Sequence, residues 1–277
     1  MNESLSLRFL YHTAAGRYLL KLLVRPTVSR AAAKFLSCPL SRPMTGYYIR
    51  KYGIDLTGCE KTKFDSFNDF FTRRKQIDIH AAEDSVISPC DGFLSIYSIT
   101  PDRKLDIKHS SYTVSSLLED ESLAEKYGGG LCLIFRLEPR HYHRYLYAAS
   151  GVIKNQKVIG GVLHCVRPIA CREFPVYVQN SREYTVTESR NLGSVVQMEI
   201  GALLVGKIRN REHLPDFYVT RGSEKGYFEF GGSTIVLMFE ADRIEPMPWL
   251  SRFTDSGREI PVTIGQTIGR IIHFDEV

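Results

Sequence analysis

EKGYFEFGGSTIVLMFE, residues 224–240, sets two strand-like halves around a break. Residues 227–230 and much of 235–240 alternate apolar and polar, which predicts two half-buried strands. Gly231, Gly232, Ser233 and Thr234 lie between them. Paired glycines cost conformational entropy and add no packing, so the break needs a steric or chemical cause. A tight turn or bulge is one such cause, since Gly-Gly-Ser is ordinary turn chemistry. The other is covalent. If the Ser233 hydroxyl attacks the Gly232 carbonyl, a residue without a side chain is needed on the acyl side.

Outward from this stretch the texture divides in two. After residue 85, LCLIFRL (131–137), YHRYLY (142–147), SREYTV (181–186) and VVQMEIGALLVGKI (195–208) are strand-like runs punctuated by Gly, Asn and Pro. Gly-containing corners such as SGVI, IGGVL and IGQTIG fit a tightly folded sandwich or barrel. Within this region a helix is expected only near TVSSLLEDESLAEKYGG, with its glycine stop. The first eighty residues instead look helical. LRFLYHTAAGRYLLKLLVRP places its leucines and tyrosines at helical spacing and ends at Pro26. FDSFNDFFTRR (64–74) is a second helical stretch, with Asp65, Ser66 and Asn68 as caps. The fold class expected is therefore α+β, a basic helical segment (1–80) on a mostly antiparallel, sandwich- or barrel-like body (81–277).

Charge follows the same division. Residues 1–51 carry nine Lys/Arg against Glu3 alone, whereas the whole chain is only +5, so the remainder is slightly acidic. A basic arm on an acidic body predicts an anionic partner, a membrane surface or nucleic acid. No run approaches the roughly 20 apolar residues that span a bilayer, and Arg8, Arg17 and Lys21 interrupt any signal-peptide core. The protein is expected on the cytoplasmic side. Its six cysteines form no CxxC pair or zinc-ligand spacing, which predicts reduced thiols and no metal.

Three further places carry chemistry. ISPCDGF (87–93) sets Asp91 in a corner, where acids are usually turn-formers. EPRHYHRYLY (138–147) holds His141 and His143, on one face if extended, as a polar edge or as a general base. GVLHCV adds His164, a core or edge histidine by default. Asp91, His143 and Ser233 together supply an acid, an imidazole and a hydroxyl, enough to orient a base and activate a nucleophile. No GxSxG elbow accompanies them.

In order along nearly the whole chain, FNDFFTRR, SPCDG, YHRY followed by SG, NSREY, MEIGALLVGKI, KGYFEFGGSTIVL and TIGQTIGRI resemble the phosphatidylserine decarboxylase family. The resemblance implies a chain that cuts itself between Gly232 and Ser233, giving a β chain (1–232) and an α chain (233–277). Ser233 would become a pyruvoyl group, the covalent, self-derived cofactor. That group would form a Schiff base with the serine amine of phosphatidylserine and accept electrons as carbon dioxide leaves, giving phosphatidylethanolamine. Asp91 would orient His143, which would serve as base for the cut and reprotonate the product. The basic arm would bind an anionic membrane surface at the cytoplasmic face, peripherally, and nucleic acid drops out as a partner. Homo-oligomer formation is left open.

One departure stands out. Well-known members carry a second histidine three residues after the first, and this chain has Leu146 there. Either His143 performs both jobs, or His141 or His164 takes one. The alternatives are a processing-dead relative that binds anionic lipid, or a carboxy-lyase for a related serine-headgroup lipid. Cys90, beside Asp91, is expected near the site.

Overall fold

The computed structural model describes residues 5–107, 110–203, 207–230 and 233–273. It begins with α1 (Leu5–His12), α2 (Ala14–Leu23), α3 (Pro26–Leu36), α4 (Pro43–Tyr52) and α5 (Phe67–Phe71). The expected continuous first helix is broken at Thr13, whose hydroxyl caps α2 by accepting the Gly16 N–H at 2.9 Å. The turn is tight because Gly16 rides on α1. A Cβ there would lie 1.9 Å from the Phe9 carbonyl oxygen.

One face of these helices is docked. Tyr11, Leu20 and Val24 join the main core, each contributing about 2 kcal/mol by burial. The Cys165 and Leu163 N–H groups donate to the Tyr11 hydroxyl and the Val24 carbonyl, both at 3.0 Å. Leu5, Phe9, Tyr18, Leu19 and Leu22 remain exposed. α5 forms because Ser66 caps it, accepting the Asp69 N–H at 3.1 Å. Its phenylalanines, with Leu36 and Phe64, build a second hydrophobic cluster beneath α3 and α4.

The body continues with β1 (Ser85–Ile87), β2 (Gly92–Ser98), β3 (Lys104–Ile107), β4 (Ser110–Thr113), α6 (Val114–Leu118) and α7 (Glu121–Ala124). Next come β5 (Leu131–Leu137), β6 (Arg144–Leu146), β7 (Gly151–Ile159), α8 (Pro168–Glu173) and α9 (Val176–Gln179). Then follow β8 (Arg182–Ser189), β9 (Gly193–Ile200), β10 (Ile208–Asn210), β11 (Tyr218–Val219), β12 (Glu224–Phe228) and β13 (Ser233–Phe239). β14 (Ile244–Pro246), α10 (Pro248–Ser251), β15 (Ile260–Val262) and β16 (Thr267–Ile271) complete the chain. The short helices α8, α9 and α10 were not expected. Each begins at or just after a proline, which presets the first helical turn, and none is long enough to show a period.

Among the described residues the largest sheet has the order β11-β7-β8-β9-β13-β5-β2-β15, with every neighbouring pair antiparallel. A smaller sheet, β10-β12-β6, is also antiparallel. The two halves of residues 224–240 therefore belong to different sheets. They are no hairpin, so turn chemistry between paired strands does not account for the glycines. β13 also departs from the half-buried expectation. It is buried at every position, as a central strand covered on both faces is.

Candidate active site

Ser233 opens β13 in the middle of the large sheet, opposite Leu137 on β5. Since Phe93 pairs with Arg136, Gly92 lies at the level of Leu137, and Ser233 and Gly92 are two strand spacings apart, about 10 Å. On the other side, pairing of Thr234 with Ile200 brings Gly201 to the level of Ser233. The hydroxyls of Ser233 and Thr234 are buried without a hydrogen-bond partner among the described residues. An unmatched buried hydroxyl costs about 1–3 kcal/mol, so this strand end is not optimised for stability alone. Gly232, the acyl side of the expected cut, lies outside the described residues, as does Gly231.

The segment entering that bond is clamped. Phe230 meets the rings of Phe67 and Phe71 edge-on, both at 5.1 Å, and its N–H donates to Asn68 Oδ1 at 3.3 Å. The FNDFF helix thus grips the chain three residues before Ser233. Phe71 also meets His143, with ring centroids 3.9 Å apart. His143 is fully buried, and neither ring nitrogen has a hydrogen-bond partner among the described residues. Burial foremost, then the charge of Arg73, pushes its pKa well below the ordinary histidine value. The backbone of His141 opposes that shift without completing a hydrogen bond. His143 is therefore a neutral imidazole at neutral pH, able to accept a proton.

Asp91 does not hydrogen-bond that imidazole. Its Oδ1 accepts the Ile264 N–H at 2.9 Å and its Oδ2 the Tyr142 N–H at 3.3 Å, so it fixes the backbone one residue before His143. Its charge acts on His141, where it raises a pKa that burial lowers overall. The Glu138 N–H donates to His141 Nδ1 at 2.9 Å, which leaves Nε2 to carry the proton of the neutral ring. Asp91 and His141 line one cavity of about 620 Å³ with Arg73 and Tyr142. His164 is placed elsewhere. Its ring stacks on Phe174 at 4.4 Å beside Tyr11, in the dock for α1. Cys90 is close to Asp91 as expected, but fully buried, and burial pushes its thiol well up, which makes it inert. No group of three potential metal ligands occurs among the described residues.

The family model described as phosphatidylserine decarboxylase matches residues 67–270. The chain belongs to the phosphatidylserine decarboxylase family. It is 43% identical to phosphatidylserine decarboxylase proenzyme 2 of Clostridium acetobutylicum over 267 residues, 95% of this chain and 91% of that one. It is 36% identical to the proenzyme of Clostridium perfringens strain SM101, covering 94% of this chain and 90% of the relative. The proenzyme of Ruminiclostridium cellulolyticum is also 36% identical, with 96% and 91% covered.

This decarboxylase-family chain contains a further element that sequence reasoning missed. Lys225 Nζ lies 2.5 Å from Glu199 Oε2, and neither side chain is exposed. Asn210 Nδ2 donates to Glu199 at 2.9 Å and to Glu183 at 3.0 Å, and the Tyr145 hydroxyl donates to Asn210 Oδ1 at 2.9 Å. Gln197 Nε2 donates to the Leu146 carbonyl at 3.0 Å, while its Oε1 accepts the Ala148 N–H at 3.1 Å. Burial pushes the Glu199 carboxyl up and the Lys225 ammonium down, each shift opposed by the partner. The network ties β9 of the large sheet to β6, β10 and β12 of the small one. It thereby holds the strand after His143 against the sheet that carries Ser233. A signal was available in VVQMEI, where Gln197 and Glu199 put polar groups on one face of an otherwise apolar strand.

Proposed function

We propose that the chain is a self-processing phosphatidylserine decarboxylase that converts phosphatidylserine to phosphatidylethanolamine and carbon dioxide. The observation carrying this reading is the buried, unpartnered Ser233 hydroxyl at the head of β13, with a neutral, unpartnered His143 packed on Phe71, the ring that also meets the clamped Phe230.

His143 takes the Ser233 hydroxyl proton as Oγ attacks the Gly232 carbonyl carbon, and returns it to the residue-233 nitrogen as the peptide C–N bond breaks, leaving an ester and a free amine. Loss of a Cα proton from residue 233 then breaks its Cβ–O bond and frees the Gly232 carboxylate. Water replaces the nitrogen of the resulting dehydroalanine, releasing ammonia and leaving a pyruvoyl group on the α chain, 233–277. The β chain is 1–232. Ser233 fits that fate, since its side chain engages nothing that its loss would break. The pyruvoyl group supplies an electron sink for the departing carboxylate. Phe71 and Phe230 exclude water, and His143 holds at a ring nitrogen the proton that replaces carbon dioxide. Asp91 acts through the backbone of Tyr142, and His141 beside it is the second candidate for a proton-transfer role.

The helical segment, 1–80, serves the body, 81–277, as a membrane-associating arm. Support comes from the bare Leu5, Phe9, Tyr18, Leu19 and Leu22 beside basic residues. No helix among the described residues is long and apolar enough to cross a membrane. The basic residues beside those bare side chains favour a peripheral place on an anionic cytoplasmic face.

Intact-mass measurement of the purified protein tests this directly. Two pieces divided between Gly232 and Ser233, the smaller blocked to N-terminal sequencing, are expected in place of a 31.5 kDa chain. Ser233→Ala should remain whole and inactive. A wild-type chain found whole would point to lipid binding without catalysis.

A further inference from the structure

Two cavities open at the Ser233 end of the large sheet, and their charges differ. The one beside Asp91 is balanced, with Arg73, Lys75 and Arg140 against Asp55, Asp78 and Asp91. The other, of about 570 Å³, lies between α3 and the ends of β7, β8 and β10. Its wall carries five cations and two carboxylates, a formal excess of three. Both carboxylates are occupied: Arg209 Nε donates to Glu229 at 2.8 Å, and Asn210 to Glu183 at 3.0 Å. Arg182 is spent on backbone carbonyls and Glu119. The side chains of Arg30, Lys34 and Lys207 have no ion pair or hydrogen bond to a neighbour among the described residues.

This second cavity lies beside the strand ends that lead to Ser233. Gly201, at the level of Ser233, lines it, and so does Glu229, four residues before Ser233. Gly201 packs closely against Leu163. A Cβ there would come within 2.9 Å of Leu163 Cδ2. The remaining wall is mostly apolar, with Pro26, Ala33, Val158, Ile159 and Ile208 beside Ser37 and Ser181. A mostly apolar wall bearing an excess of cations, of which Lys207 also acts on Glu183 through its charge, suits an anionic diester on an apolar tail.

We propose that this cavity seats the phosphodiester of the glycerophospholipid substrate, held by Arg30, Lys34 and Lys207 as binding residues. The inference rests on the decarboxylase reading above and adds a substrate subsite to it. It also gives α3 a task beyond the membrane surface, since two of the three cations belong to that helix.

The test is carbon dioxide release from dibutanoyl phosphatidylserine dispersed as monomers, where no membrane surface contributes. The triple variant Arg30→Gln, Lys34→Gln, Lys207→Gln should cleave itself fully and keep its kcat, while KM rises by about tenfold or more. Lys207→Gln alone, which leaves α3 intact, should raise KM by about threefold. Lys104→Gln, on the distant β3–β4 hairpin, controls for net charge and should leave KM unmoved. An unchanged KM in the triple variant, with wild-type enzyme active, overturns the subsite and spares the decarboxylase reading. Absence of carbon dioxide release by the wild type, from monomers and vesicles alike, overturns both.

Discussion

The ring of Phe71 lies 3.9 Å from that of His143, tilted by 31°. Phe71 also meets Phe230 at 5.1 Å, which makes one side chain a wall shared by the proposed base and the segment entering the proposed cut. Phe71→Leu keeps the site apolar but loses ring area and shape. Destabilisation of about 1–2 kcal/mol is expected, together with a slowing of self-cleavage by about tenfold or more from misplacement of reacting groups. The half-time of precursor conversion, measured beside the melting temperature, separates the two effects. Cleavage at the wild-type rate in a destabilised Phe71→Leu protein would show that the wall is only packing.

The depressed pKa of His143 makes a signed prediction for pH. In the unfolded chain the imidazole titrates near 6.5, and in the folded chain only well below that. Below pH 6.5 the unfolded chain therefore holds the extra proton. The contribution of His143 to stability is fully present above that pH and is lost as pH falls, by up to about 1.4 kcal/mol per pH unit. Ser233→Ala precursor should thus lose stability between pH 7 and 5 more steeply than Ser233→Ala/His143→Gln. Equal slopes in urea titrations would mean that His143 is protonated in the fold. In the wild type, the cleavage rate should show no inflection near 6.5.

The buried Glu199–Lys225 pair predicts an asymmetry between single and double variants. Glu199→Gln strands an ammonium in the core and should cost about 3–5 kcal/mol, because breaking a buried pair is far more damaging than replacing it. Glu199→Leu/Lys225→Met should regain most of that stability. If the pair also registers the two sheets, the double variant should still cleave slowly. Urea midpoints in the Ser233→Ala background report stability, and precursor conversion in the Ser233 background reports registration. Full recovery of both would reduce the pair to a stability element.

What the sequence disclosed follows the range of the forces involved. The division into a helical arm and a β body was legible because periodicity and glycine punctuation are local. The Gly-Gly-Ser break was visible too, but by itself as ordinary turn chemistry, and only the family resemblance singled out Ser233. The assignment of β12 and β13 to different sheets was hidden, since a strand pattern does not name its partner. Thr13 broke the first helix where apolar spacing alone ran on, because its hydroxyl caps α2 and Gly16 lets the turn close on Phe9. Lys225 and Glu199 each look like an ordinary solvated charge until the strands 26 residues apart are brought together. Asp91 by itself read as a turn-former, and its hold on the Tyr142 backbone could not be read from three distant letters.

That last arrangement gives a prediction of its own. Asp91→Asn keeps an acceptor for one of the two N–H groups, from Tyr142 and Ile264, and removes the charge that raises His141. The His141 pKa should therefore fall further, while that of His143, which feels Arg73 and His141 instead, should change little. Cleavage should slow by roughly tenfold to a hundredfold, because the loop that presents His143 loosens; removing a direct orienting bond to the base would cost nearer 10⁴-fold. Histidine NMR titration of the Ser233→Ala and Ser233→Ala/Asp91→Asn precursors measures the first effect, and precursor conversion the second. A large fall in the His143 pKa, with cleavage abolished, would mean that Asp91 bonds the imidazole during the reaction and that the loop rearranges before the cut.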